Sequence, residues 1–157
     1  MPRTRTPLVF VVLALSAALP AAALAGENFT TVNKTVQIED GETVGKIRTV
    51  NGFVRIGEGS SAESVQSVNG AIDIDENAKI EEDVSAVNGG IDVERGADVG
   101  GNVETVNGGI EVWASKVGGD VETVNGAIEL LDGTVVEGNV LVKKPWGWSS
   151  EDRKPVK

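Results

Sequence analysis

The sequence predicts an all-β fold, a single-domain β-solenoid built as a three-sided parallel β-helix of about six coils of 18–19 residues, and three observations predict it. First, Val-Asn recurs at Val32, Val50, Val68, Val87, Val106 and Val124, at intervals of 18, 18, 19, 19 and 18 residues, with Gly after the Asn in every copy except the first, where Lys34 stands. A period of this length marks a solenoid. Second, the copies agree outside the motif. An apolar residue stands three before the Val (Ile47, Val65, Val84, Val103, Val121), four after it (Val36, Val54, Ile72, Ile91, Ile110, Ile128) and six after it (Ile38, Ile56, Ile74, Val93, Val112, Leu130). Third, Val, Ile, Thr, Asn and Gly dominate each copy, a poor composition for a helix and a good one for short strands.

Residues 1–25 read as a signal peptide. Arg3 and Arg5 form a basic start, Leu8 to Leu19 is an apolar run, and Ala23-Leu24-Ala25 after Pro20 is the small-x-small pattern that signal peptidase accepts, leaving Gly26 as the new N-terminus. No second apolar run follows, so no membrane span is expected after cleavage. The repeat domain is expected over 26–142.

Within a copy such as Val121 to Leu130, two β-rich stretches flank Asn-Gly, and Ile128 and Leu130 alternate with Ala127 and Glu129, the period of a strand with one buried face. Asn-Gly is also a hairpin signal. A hairpin would need a second turn of equal quality in each copy, yet the other half of each copy is variable, as expected of corners and outward faces in a solenoid. The Asn residues, Asn33, Asn51, Asn69, Asn88, Asn107 and Asn125, are then expected to stack at one corner as a structural ladder of side-chain amides. Gly after the Asn is expected to give that corner a positive φ and to bring successive backbones close.

Val140 continues one apolar column, but Lys143 stands where a seventh motif Val would fall, and Lys144 and Pro145 follow. The stack is expected to end there, with proline and lysine protecting the edge. Phe29 precedes the first coil and is placed at the mouth of the lumen. Residues 143–157 form a basic, Trp-containing tail with Trp146 and Trp148.

Removal of residues 1–25 takes away two Arg and no acid, leaving twelve basic and 24 acidic residues and a net charge of −12. The acidity lies in the repeats, so nucleic acid is not an expected partner. There is no Cys, which excludes disulfide bracing, and no His or Tyr, which removes the commonest catalytic bases and nucleophiles. No catalytic residue, cofactor or metal ligand is assigned, and the chain is expected not to be an enzyme. Five after each Val stand Gln37, Arg55, Asp73, Asp92, Glu111 and Glu129, a column whose four acids are read as a solvated face and, as the minority reading, as calcium ligands. The tail is read first as folding back, so that one of its Trp residues covers the open end of the lumen or packs on Trp113 and Leu131; the rival reading makes Trp113, Trp146 and Trp148 the candidate partner contacts.

Repeated Val-Asn-Gly-x-Ile-x-Ile behind a signal peptide resembles a bacterial family of adhesin-like β-strand-repeat proteins, mostly of unknown function, over about residues 30–142. The resemblance implies an exported solenoid with a surface or envelope role and carries over no binding residues. The stack is also similar to the bactofilins, polymer-forming solenoids of the cytoplasm, which implies end-to-end self-association. The expectation is a non-enzymatic structural or adhesin-like scaffold in the periplasm or at the cell surface, with an unidentified envelope partner; the alternatives are a self-assembling solenoid and a glycan-binding module using Trp113 and the acidic face.

Overall fold

A computed structural model describes residues 26–143, and in it the chain is all strand and turn. In chain order come β1 (Phe29–Thr31), β2 (Val36–Ile38), β3 (Thr43–Asn51), β4 (Val54–Ile56) and β5 (Ser61–Asn69). From there each coil contributes three strands: β6 (Ile72–Ile74), β7 (Lys79–Ile80) and β8 (Val84–Asn88); β9 (Ile91–Val93), β10 (Asp98–Val99) and β11 (Val103–Asn107); β12 (Ile110–Trp113), β13 (Lys116–Val117) and β14 (Val121–Asn125); β15 (Ile128–Leu131), β16 (Val135–Val136) and β17 (Val140–Val142). Every strand pairing is parallel and joins one coil to the next, as in Ile72↔Ile91 and Val103↔Val121. Parallel neighbours cannot be joined by a two-residue hairpin, so the chain is a solenoid of about six turns and not a hairpin meander.

Six strands, β2, β4, β6, β9, β12 and β15, form one sheet, and the other two sides of the coil share a second sheet. The sharing has a local cause. In β3 and β5 the chain passes from the second side to the third as one nine-residue strand, with two residues between the inward positions Ala62 and Val65. From the next coil onward one residue is added, in Glu81-Glu82-Asp83, and the strand breaks into β7 and β8. The corner after β12 is one residue shorter than its counterparts. These two changes account for the alternation of 18 and 19 residues between motifs.

The three columns of Ile and Val seen in the sequence point inward, and Val54, Ile56, Ile72, Ile74, Ile91 and Val93 are fully buried. Burying each such side chain contributes roughly 1.5–3 kcal/mol relative to exposure. Three further inward columns complete the lumen: Val44, Ala62, Ile80, Val99 and Val117 on the second side; Ser60, Ala78, Ala97 and Ser115 at the corner before it; and Thr49, Ser67, Ala86, Thr105 and Thr123 immediately before the motif Val. Phe29 pairs with Ile47 and extends that column as a half-buried residue packed against the core.

The hydroxyls of the last column have a defined use. Thr105 Oγ1 donates to Gly89 O at 2.9 Å and Thr123 Oγ1 to Gly108 O at 3.0 Å, with Thr49 and Ser67 making longer bonds to Lys34 O and Gly52 O. Each acceptor is the carbonyl at the Asn-Gly corner of the coil before. Among the described residues no buried side-chain nitrogen or oxygen lacks a partner.

Candidate functional site

The Asn column forms the expected ladder. Each Nδ2 donates to the Oδ1 of the Asn one coil earlier: Asn51 to Asn33 at 2.6 Å, Asn69 to Asn51 at 2.7 Å, Asn88 to Asn69 at 2.8 Å, Asn107 to Asn88 at 2.7 Å and Asn125 to Asn107 at 2.8 Å. The donors and acceptors of the amides are thereby used along the axis, which makes the row a structural spine.

The glycine beside it is set by close backbone approach and not by the expected positive φ. A Cβ at Gly52, Gly70, Gly89, Gly108 or Gly126 would lie 1.8–2.2 Å from the carbonyl oxygen of the preceding corner residue. Close backbone approach therefore excludes side chains here, as expected. Positive φ is not the general reason: of these five only Gly70 has one, at 158°, close to extended backbone. The left-handed corner is the other one, after the first side, where Gly41, Gly59, Asn77, Gly96, Ala114 and Gly133 have φ of 74°, 64°, 57°, 74°, 41° and 81°.

A second polar column runs up the corner between the second and third sides. Asp83, Asn102 and Asp120 each accept, through Oδ1, the backbone N–H of the equivalent residue in the next coil, at 2.8, 2.9 and 2.7 Å. The same bond is made once earlier, where Lys46 N–H donates to Asn28 Oδ1 at 2.7 Å, and it becomes continuous from the coil where the extra residue enters. These bonds run from coil to coil and satisfy a backbone N–H at each corner.

The outward column of the first side brings its charges together as the spacing implied: Gln37, Arg55, Asp73, Asp92, Glu111 and Glu129 are in register. Partial burial pushes the Asp73 carboxyl above its ordinary value, with the Asp92 charge adding to it and Arg55 opposing. Asp92 is raised by partial burial first and by Glu111 second, although much of its surface meets solvent. Like charges directly opposite on a sheet repel, which is the cost of this column. Arg55 offsets it at one end, pairing with Asp75 at 2.8 Å. Among the described residues no group of three or more acids is arranged to hold a metal ion.

Trp113 lies beside this column, two residues after Glu111 on β12 and paired with Leu131, half-buried on the outside. Its Nε1 donates to Glu111 Oε1 at 2.7 Å, and the Arg95 guanidinium sits 5.7 Å from its ring centroid. A Trp whose edge and face are already engaged by its own chain presents little open ring to a sugar. Trp146 and Trp148 lie outside the described residues, as do 1–25.

The motif Val forms a surface column of its own. Val32, Val50, Val68, Val87 and Val106 stand outward between the buried hydroxyl column and the Asn ladder, about two-fifths exposed except Val32, which is more so. A period-2 count from the buried columns would have found them, since a residue adjacent to an inward position faces out.

Comparison of the chain with protein-family models, with curated proteins and with solved structures gives no match.

Proposed function

We propose that the protein is a non-enzymatic scaffold that is exported and works as a structural or adhesin-like element of a bacterial cell envelope. The observation that carries the scaffold reading is the filled, self-satisfied rod: its lumen is packed with Ile, Val, Ala, Ser and Thr, and its conspicuous polar row, the Asn ladder, is spent on holding coils together. A fold of this kind presents repeated outer faces at a fixed spacing of about 4.8 Å, which suits display and spacing better than enclosure of a small ligand. Export rests on the reading of residues 1–25, and the envelope role on the resemblance of the Val-Asn-Gly repeats to adhesin-like proteins. The absence of His, Cys and Tyr supports a non-enzymatic role, and the acidic body speaks against a nucleic-acid partner.

Fractionation of cells expressing a C-terminally tagged full chain, with N-terminal sequencing of the recovered protein, tests this reading. Recovery from the periplasm or envelope, with Gly26 first, is the expected result. A cytosolic protein that retains residues 1–25 would overturn the export reading and the envelope role with it.

A further inference from the structure

An Asn side-chain amide is open to attack by the backbone nitrogen of the next residue, and Gly in that place leaves the nitrogen unshielded because it has no side chain. The chain holds five such pairs, Asn51-Gly52, Asn69-Gly70, Asn88-Gly89, Asn107-Gly108 and Asn125-Gly126, each preceded by Val. As dipeptides they are equivalent, and the fold makes them unequal. In the first four the attacking nitrogen is held: Gly52 N–H donates to Asn69 O at 3.1 Å, Gly70 to Asn88 O at 3.0 Å, Gly89 to Asn107 O at 3.1 Å and Gly108 to Asn125 O at 3.1 Å. The side chain under attack is held too, since each of these four Asn donates through Nδ2 to the coil before and accepts through Oδ1 from the coil after. Reaction there has to wait for local opening of the coil.

Asn125 is placed differently. Its Nδ2 donates to Asn107, but the next Asn, Asn139, belongs to the other polar corner and the chain has none beyond it, so no ladder amide reaches Asn125 Oδ1. Among the described residues the covering strand β17 pairs with β14 only as far as Thr123↔Val142, two residues short of Asn125, whereas β11 is paired through Asn107↔Asn125. Of the five motif glycines Gly126 alone is exposed, and Gly52, Gly70, Gly89 and Gly108 are half-buried.

We propose that Asn125 is a modification site, the one Asn-Gly pair at which the folded chain deamidates, while the coil above each of the other four protects it. A solvent base takes the Gly126 N–H proton, the nitrogen bonds to Asn125 Cγ, and the Cγ–Nδ2 bond breaks, with ammonia leaving after it gains a proton from water. Water then opens the resulting succinimide at either carbonyl, giving aspartate or isoaspartate at 125. Neither product has an amide N–H to give to Asn107 Oδ1, so the reaction removes the last rung of the ladder and adds a negative charge to an acidic coil.

The test is peptide mapping by mass spectrometry of the full chain aged in mildly alkaline buffer, once folded and once in urea. A protease that cuts after Glu puts the five Asn on separate peptides, so each site is read by itself and no substitution is needed. In the folded chain the mass gain of deamidation is expected at Asn125 at least about tenfold faster than at Asn51, Asn69, Asn88 or Asn107. In urea the five rates should come together, because the coils that select among them are gone. A folded chain in which Asn125 reacts no faster than the other four would overturn the proposal. So would a preference for Asn125 that persists unchanged in urea, since it would then belong to the local sequence and not to the end of the ladder.

Discussion

Each backbone and side-chain position at the Asn-Gly corner has one physical constraint. Gly108 and Gly109 are adjacent, and only the first is confined: a Cβ would meet Gly89 O at 2.1 Å at Gly108, whereas at Gly109 the nearest atom, Ala127 O, is 3.6 Å away. Gly108→Ala is therefore expected to destabilise the chain by more than about 2 kcal/mol, and Gly109→Ala to stay within about 0.5 kcal/mol, in urea unfolding followed by circular dichroism. Asn88 has ladder bonds on both sides and Asn33 on one. Asn88→Ala should cost about 1–2 kcal/mol and Asn33→Ala about half that, by the same unfolding measurement. The Asn column was readable from the sequence because its spacing alone brings like residues above one another. The reason for the Gly was only half readable: its spacing implied close approach, but which corner turns left-handed depends on backbone angles that variable residues such as Asn77 and Ala114 hide.

The strands show which columns a sequence reveals. Columns of Ile and Val, as in β6 and β9, announce burial by their bulk. The columns of Ser60, Ala78, Ala97 and Ser115, and of Thr49, Ser67, Ala86, Thr105 and Thr123, are equally buried but are small or hydroxylated, because corners leave little volume and their carbonyls need donors. Corner length is likewise a matter of single residues. The corner between β12 and β13 is one residue short, and Ala114 there adopts φ of 41°, a conformation that costs an L-residue about 1–2 kcal/mol. Ala114→Gly removes that strain and loses part of the gain, about 0.4–1 kcal/mol, to the greater freedom of the unfolded chain. A net stabilisation of about 0.5–1 kcal/mol is expected, seen as a higher urea midpoint; a lower midpoint would contradict the strain assigned to this corner.

For the molecule as a whole, the acidic side of the rod sets the response to pH. Asp73 and Asp92 hold their protons more tightly in the folded chain than in the unfolded one, so the folded state binds more protons in the window above the ordinary carboxylate value. Stability should fall as pH rises through that window and recover as pH is lowered towards the ordinary carboxylate value, and Asp92→Asn should weaken the dependence, as read by thermal melts across pH. A melting temperature that drops steadily over the same range would contradict it. The rod itself is the premise of all these expectations, and it allows a clean distance measurement, because the chain has no cysteine and two can be introduced without competition. Arg48, Gln66, Ser85, Glu104 and Glu122 form one outward column through successive paired strands. Spin labels at Arg48→Cys and Glu122→Cys, four coils apart, should report a single narrow separation centred at about 19 Å plus the length of the labels. A broad distribution, or a centre well beyond that spacing, would contradict an in-register stack.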